Sequence, residues 1–315
     1  MNERSLIEFL AFDPMVVAGS MLVLPAAAAL ISDLAARSLP PTKADWRVAA
    51  ALAGFPGLVM LILCITNIVR ASAHLHGGSF GHIVQYQGLP SLAFAILGYG
   101  ILRARRRHRD TMSLMATSSP AGPALKAAAA ELGVQVAEIP TDGYECFVAG
   151  FWRPTIFVSS GTIGKLSDAE LYAALCHEQA HAAGYDPAFL FVLSFLKDIG
   201  PSSDRALNAY RQARERFADS EAVRRTSPID VASALLAVAR QSRRPAHTFM
   251  MASSCGNVWR LQAILGQEKS VPAMRSYPVL VATGLLLESG LSSLPALQVY
   301  LAYAVACGCA VSSAA

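Results

Sequence analysis

Charged side chains are scarce in this chain of 315 residues. Asp, Glu, Lys and Arg together make up 15% of it, against about 25% in an average soluble domain. Hydrophobic residues make up 54%, and the mean hydropathy is +0.41. A disordered chain is excluded, because such chains combine low hydrophobicity with high charge. A purely soluble enzyme is disfavoured too, so we expect some segments in lipid and one water-facing domain.

A strong basic excess and metal-binding cysteine pairs are also absent. Lys and Arg number 26 and Asp and Glu number 22, a net charge of +4. This is too small for a nucleic-acid-binding protein, which shows a clustered basic face. The six cysteines form no CxxC pair, and the chain is too long for a disulfide-stabilised miniprotein. We therefore expect reduced thiols and no nucleic-acid partner.

Three uncharged stretches near the N-terminus predict membrane-spanning helices. They are residues 14–32, 48–69 and about 83–102, and each is close to the 20 or so apolar residues that a bilayer core needs. Residues 276–315 contain one charged residue, Glu288, and are predicted to add one or two helices. The predicted organisation is a membrane region over 1–102, a water-facing domain over 103–275 and a second membrane region over 276–315.

Basic residues beside these segments predict their orientation, because cytoplasmic loops are enriched in Lys and Arg. The loop after the first segment carries Arg37, Lys43 and Arg47, and five arginines lie within Arg103–Arg109. We therefore expect a multi-pass protein of the cell membrane with its N-terminus outside and its water-facing domain in the cytoplasm. A nucleic-acid patch is the alternative for the arginine run, but its place directly after an apolar segment favours an anchor.

The water-facing domain is predicted to be α+β. Two β-rich runs, Glu145–Gly150 and Thr155–Ser159, are separated by a short loop and predict a hairpin. Ser167-Asp-Ala-Glu170 is a capping box that begins a helix, which we expect to end at Gly184. The apolar stretch after it, Ala188–Leu196, is too short to span a bilayer and is predicted to lie in or on the membrane. Further elements are a strand over Val134–Ile139 and helices over about Asp204–Arg225, Asp230–Arg240 and Val258–Leu265.

One motif on the capped helix carries metal chemistry. His177-Glu178-Gln179-Ala180-His181 has the pattern H-E-x-x-H. Residues four apart share one helix face, so both imidazoles can bind one metal ion. Two neutral imidazoles and one carboxylate suit a single Zn2+ ion with an open fourth position. Glu178 would then act as the general base that takes a proton from the zinc-activated water.

The third zinc ligand is expected from a later helix. Glu215 and Asp219 lie four residues apart and share a face of the helix predicted over Asp204–Arg225. We expect Glu215 to bind zinc and Asp219 to accept a hydrogen bond from a ligand histidine, which fixes its tautomer. A solvated helix is the alternative, because the stretch also contains Arg211, Arg214, Arg216, Glu221 and Arg224. The H-E-x-x-H motif upstream favours the ligand assignment.

These motifs resemble those of the BlaR/MecR-type integral-membrane zinc metallopeptidases. The likeness covers about residues 95–270 and rests on four patterns: His177-Glu178-x-x-His181-x-x-x-x-Asp186, Glu215-x-x-x-Asp219, Gly150-x-x-x-Pro154-x-Ile156 and Leu166-Ser-Asp-Ala-Glu-Leu171. The HtpX and CAAX prenyl protease type is the next nearest, since it shares the two metal motifs. The Asp186 spacing and the Gly-x-x-x-Pro hairpin favour the first type.

The resemblance implies a multi-pass α-helical membrane protein with an inserted α+β, gluzincin-like zinc-metallopeptidase domain. It implies an endopeptidase that cleaves a protein or peptide at the cytoplasmic membrane face, with Asp186 beside the metal ligands. The antibiotic-sensing members also carry an extracellular penicillin-binding domain. We expect none here, because the chain ends at Ala315 in or just after an apolar block.

Two other functions stay open. One is a BlaR/MecR-like signal transducer that relays a membrane signal by regulated proteolysis, self-cleavage included. The other is a non-catalytic membrane scaffold with a decayed site, against which the intact Glu178 argues. The sequence leaves the substrate, the activating signal and the oligomeric state open.

The first strand of the predicted hairpin is a candidate for substrate recognition. It comprises Cys146, Phe147, Val148, Ala149 and Gly150. An edge strand can pair its backbone with an extended peptide. An ordinary hairpin strand without such a role is equally compatible with the sequence.

Overall fold

Three long helices open the described part of the chain. The computed structural model describes residues 14–39, 45–77, 88–241 and 257–266. Helices α1 (Pro14–Arg37), α2 (Trp46–Gly77) and α3 (Gly88–Ala116) cover the first two predicted membrane segments and most of the third. Within the described residues, one stretch is long and apolar enough to cross a membrane: Trp46–Ile68, with a mean hydropathy of 2.5. The predicted membrane region 276–315 lies outside the described residues.

A small mixed sheet follows the third helix. Its strands are β1 (Ser119–Pro120), β2 (Gln135–Ile139), β3 (Cys146–Ala149) and β4 (Thr155–Ser159), in the order β1-β2-β4-β3. Strands β3 and β4 pair antiparallel, so the predicted hairpin is confirmed. Strand β2 pairs parallel to β4, which the sequence did not predict. Strand β3 therefore forms one edge of the sheet.

Seven further helices complete the described part of the chain. They are α4 (Pro123–Glu131), α5 (Ser160–Lys165), α6 (Asp168–Ala183), α7 (Asp186–Ile199), α8 (Asp204–Arg225), α9 (Pro228–Gln241) and α10 (Asn257–Ile264). The predicted capping box begins α6: the Ser167 side chain accepts from the Glu170 amide, and the Glu170 carboxylate accepts from the Ser167 amide. The predictions of helices at α8, α9 and α10 are likewise confirmed.

Two of the apolar cores among the described residues position the helices that carry the sequence motifs. In the first, α6 packs on the sheet, and Leu175 and Cys176 are buried with Ile156 and Val158 of β4. In the second, α7 and α8 pack on α1 and α2; its buried side chains include Ala36, Leu52, Leu193, Leu207 and Tyr210. Helices α6 and α8, which carry the H-E-x-x-H and Glu-x-x-x-Asp motifs, are thus fixed against a common framework.

Candidate metal centre

The two histidines of the H-E-x-x-H motif face each other on α6. Their Nε2 atoms lie 3.1 Å apart, as expected for residues one helical turn apart. Glu215 of α8 faces the pair: its Oε2 is 3.6 Å from His177 Nε2, and its Oε1 is 3.9 Å from His181 Nε2. One ligand atom from each of the three residues can be chosen so that all lie within 4.8 Å of one another. The structure therefore brings the three predicted zinc ligands together.

A carboxylate orients each imidazole from behind. Asp219 Oδ1 lies 3.0 Å from His177 Nδ1, and Asp186 Oδ2 lies 2.6 Å from His181 Nδ1. When each Nδ1–H donates to its carboxylate, the tautomer is fixed and each Nε2 presents a lone pair. Both aspartates are buried. The structure thus places Asp219 and Asp186 beside the two histidines, where the spacing of Asp219 and the family resemblance for Asp186 led us to expect them.

The donor atoms fit a zinc ion. Two Nε2 lone pairs at 3.1 Å repel each other unless a cation or a proton lies between them. A tetrahedral ion with Zn–N distances of about 2.0–2.1 Å would hold the two nitrogens about 3.3 Å apart. Glu215 Oε1 is buried and has no hydrogen-bond partner among the described residues. A buried carboxylate oxygen left without a donor is costly, and a cation at this point would satisfy it.

Arg260 is a member of the centre that the sequence analysis missed. It lies on α10 and is buried; its Nη1 is 2.8 Å from Glu215 Oε2. Its Nε and Nη2 donate to the two carboxylate oxygens of Asp219 at 2.8 and 2.6 Å. Arg260 therefore binds the Glu215 oxygen that faces His177 and leaves Oε1, which faces His181, without a hydrogen-bond partner. A lone arginine in a short helix carries no spacing signature, so no pattern in the sequence could have found it.

A second buried arginine supports the other aspartate. Arg214 of α8 places its Nε 2.6 Å from Asp186 Oδ1, and the Tyr210 hydroxyl donates to the same oxygen at 3.5 Å. The Arg214 guanidinium also lies over the ring of Trp46, which links the metal centre to the start of α2. Gly184 makes room for this arrangement, because a Cβ there would overlap the Arg214 guanidinium.

The charges of the centre shift its pKa values. Burial lowers the pKa of His177, but hydrogen bonds to Asp219 and Glu215 outweigh it and raise that pKa to about 10. Burial would raise the pKa values of both carboxylates, yet Arg260 and the histidines hold them below their usual range. We therefore expect His177 to be protonated at neutral pH without a metal, with its proton near the position that a cation would occupy.

Glu178, the predicted general base, lies in the same environment. Burial raises the pKa of its carboxyl group, and the charges of His177 and His181 oppose this rise. The pKa of the Cys146 thiol on β3 is raised by burial and then by the charge of Glu178. The base and the edge strand are thus near enough to interact electrostatically.

The candidate recognition strand lies beside the metal helix. No strand in the described part of the chain pairs with the outer edge of β3. Four of the five predicted residues, Cys146–Ala149, form β3. Gly150 follows the strand with φ 104°, and a Cβ there would approach the Arg153 carbonyl oxygen to 2.7 Å. Gly150 therefore turns the chain out of the strand and is not part of the edge.

Part of the chain matches a family model. Residues 124–199 match peptidase family M48, whereas no curated protein and no solved structure matches the chain. The matched region runs from α4 to the end of α7 and contains His177, Glu178, His181 and Asp186. It confirms the resemblance to metallopeptidases of the BlaR/MecR and HtpX kind at the level of this family. Peptidases of this family are zinc-dependent and act on proteins or peptides; the rest of the site lies beyond the match.

Proposed function

We propose that the protein is a membrane-embedded, zinc-dependent endopeptidase that hydrolyses a peptide bond at the cytoplasmic membrane face. The observation that carries this proposal is the convergence of three potential ligand atoms. The Nε2 atoms of His177 and His181 face each other, and Glu215 Oε1 lies beside them without a hydrogen-bond partner, while every other polar atom of these side chains is engaged by a buried partner. A proton between the two imidazoles leaves Glu215 Oε1 unpaired, whereas a metal cation would bind all three atoms.

Each residue has a distinct part in the proposed reaction. His177, His181 and Glu215 hold the zinc, which when bound supplies a Lewis acid that polarises the scissile carbonyl and activates water. Glu178 accepts the proton of the attacking water and then donates it to the leaving amine. Its half-buried position supports this role, because the raised pKa lets the carboxyl group both take and return a proton.

Strand β3 is proposed to align the substrate. An extended peptide that pairs with the outer edge of β3 would add a strand to the sheet next to α6. Main-chain hydrogen bonds would then hold the peptide in register, since the packing of α6 on the sheet keeps the metal helix and the edge strand in a constant relation. This mode of binding demands an unfolded segment in the substrate rather than a particular side chain.

The membrane location is supported by the outer faces of the first three helices. Large apolar side chains are exposed on all of them: Leu22 of α1 is 73% exposed, Ile62 of α2 is 52% and Phe94 of α3 is 60%. Large apolar side chains exposed on three successive helices are the composition expected of faces in contact with lipid. Together with the arginine run, this favours a multi-pass protein with a cytoplasmic peptidase domain.

The direct test is the Glu178→Gln variant, expressed at wild-type level in the same cells. We expect a substrate fragment in cells with the wild type and none in cells with the variant, while the purified variant still binds one zinc ion. Glu221→Gln is the matched control, because Glu221 lies on α8 and pairs with exposed Arg224. Cleavage that persisted in Glu178→Gln would refute the mechanism. A fragment of the protein itself as the sole product would favour the signal-transducing alternative.

A further inference from the structure

We propose that the cytoplasmic edge of the bilayer crosses α2 near Gly57 and α3 near Gly100. The first half of the apolar stretch Trp46–Ile68 then lies in the peptidase domain rather than in lipid. The metal centre stands about 20 Å away from the membrane, on the water side. The placement of the edge rests on the proposed membrane location, and its consequence for the substrate rests on the proposed peptidase function.

Helix α7 relates positions on α2 to distance from the proposed bilayer edge, because the two helices run side by side in the same direction. The Phe189 ring meets the Trp46 ring edge-on at 5.9 Å, near the start of both helices. Further along, a Cβ on Gly54 would lie 3.3 Å from Leu193, and one on Gly57 would overlap the Leu196 backbone. The end of α7 therefore lies at the depth of Gly57.

Helix α7 also relates positions on α3 to the same distance, although α3 runs in the opposite direction. Phe151, from the loop between β3 and β4, contacts both the Phe191 ring at 4.7 Å and the His108 ring at 5.8 Å. At the end of α7, a Cβ on Gly100 would overlap the Ile199 side chain. Gly100 therefore lies at the same depth as Gly57 of α2, and His108 lies at the depth of the start of α2.

The hydropathy of α2 alone would place all of Trp46–Ile68 in lipid, and this conflicts with the charges on α3 at the same level. If all of Trp46–Ile68 lay in hydrocarbon, the arginines of α3 from Arg103 to Arg109 would lie there as well. Asp198 of α7 pairs with two of them, Arg103 and Arg107. Charged side chains in the bilayer core are expensive and rare. The arginine run therefore places the first half of α2 outside the lipid.

The charges on α8 lead to the same boundary. Its first residues pack towards α1: the Ser203 hydroxyl donates to Asp33 at 3.3 Å, and Arg205 lies 3.8 Å from the same carboxylate. The Asp204 side chain is 72% exposed. Helix α8 shares a buried core with the first turns of α2. The exposed side chains of the first turns of α8 are polar, so the turns of α2 packed against them lie next to water.

On the membrane side of Gly57 and Gly100, large apolar side chains are exposed on both helices. On α2 the exposed side chains are Leu58, Ile62 and Ile65, and on α3 they include Leu92 and Phe94. The buried side chains between the helices at this level are Met21, Met60, Cys64 and Ala93. Apolar side chains both inside and outside such a bundle are typical of helices surrounded by lipid.

The boundary sets the distance from the bilayer to the bond that is cleaved. Helix α7 has 14 residues and is therefore about 20 Å long. Asp186 at its far end holds His181, so the metal centre lies about one length of α7 from the membrane. An extended chain advances about 3.3 Å per residue, so a membrane-anchored substrate needs about six residues between lipid and the scissile bond. A bond inside the membrane would not reach the centre.

Ala51 and Ile62 provide a matched pair for testing the boundary. Both are exposed, and they lie on one face of α2, eleven residues or about three turns apart. The six natural cysteines are replaced in the full-length chain, and Ala51→Cys and Ile62→Cys are made singly. Inside-out membrane vesicles are treated with a membrane-impermeant maleimide, with Asp204→Cys as the water-exposed reference. Unfolding in detergent gives the full extent of labelling for each variant.

We expect Ala51→Cys to react within about threefold of the reference and Ile62→Cys to react at least tenfold more slowly. Equal protection of Ala51→Cys and Ile62→Cys would overturn the proposed boundary and return it to the start of α2. Rapid labelling of Ile62→Cys would show that this part of α2 is outside lipid, which also contradicts the proposal. Labelling needs neither zinc nor activity, so its outcome is independent of the Glu178→Gln test.

Discussion

His177 and His181 lie in matching environments that the chain builds in different ways. Each imidazole donates through Nδ1 to a buried aspartate, and each aspartate is bound by a buried arginine. The series of contacts from His181 through Asp186 to Arg214 is partly local in sequence, because Asp186 comes five residues after His181. The series from His177 through Asp219 to Arg260 joins α6, α8 and α10, and Arg260 also binds Glu215. One arginine thus serves a single aspartate, and the other holds two carboxylates at once.

This difference predicts unequal consequences when the arginines are removed. Arg260→Ala leaves two buried carboxylates, Glu215 and Asp219, with His177 as their single cationic partner, and we expect a loss of about 3–5 kcal/mol of stability in the metal-free protein. Arg214→Ala leaves Asp186 with His181 and Tyr210 as partners, so we expect a smaller loss of about 1–3 kcal/mol. Thermal unfolding of the purified proteins, followed in the same detergent, measures both. Equal losses of stability in Arg260→Ala and Arg214→Ala would show that the second carboxylate bound by Arg260 does not increase its contribution.

Substitutions of the two aspartates should differ less in their effects than substitutions of the two arginines. Removal of a carboxylate that orients a zinc-bound histidine weakens metal binding by about 10–100-fold. We expect Asp219→Asn to lie near the upper limit, because it also loses part of its contact with Arg260, and Asp186→Asn near the lower. Competition with a chelator of known affinity gives both constants. A weaker effect of Asp219→Asn than of Asp186→Asn would contradict the comparison.

The last expected effect is a pH dependence of zinc binding that arises from His177. Its pKa of about 10 in the metal-free protein means that one proton must leave whenever zinc binds below that pH. The apparent zinc affinity should therefore rise by about tenfold per pH unit between 7 and 9, and become level above pH 10. In Asp219→Asn the pKa of His177 falls and the rise should flatten. Calorimetry in buffers of different ionisation enthalpy counts the released protons, and a count of zero would exclude a protonated His177.

Much of this centre could be predicted from the sequence, because its signals are local. The capping box predicts where α6 begins, the spacing of four places His177 and His181 on one face, and the same spacing pairs Glu215 with Asp219. Arg260 could not be predicted, because its role arises when α10 packs against α8, and no repeat or spacing encodes that contact. The parallel pairing of β2 with β4 was missed for the same reason, since it joins segments separated by β3.

The predicted membrane segments show where sequence patterns are insufficient. Hydropathy locates apolar helices correctly, and α1, α2 and α3 lie where the uncharged stretches predicted them. Hydropathy does not distinguish a face covered by lipid from one covered by protein, since both are apolar. The first half of α2 is buried against α7 and α8, and only the contacts of α7 with both α2 and α3 reveal that this half shares its depth with charged residues.

The most direct test of the proposed centre is its zinc content. The full-length protein is purified, loaded with zinc, freed of excess metal by gel filtration and analysed by mass spectrometry for bound metal. We expect one zinc ion per chain in the wild type and in Glu178→Gln, and less than a tenth of that in His181→Ala. A wild type that retains no zinc, or a His181→Ala variant that retains a full equivalent, would contradict the assignment of His177, His181 and Glu215 as the ligands.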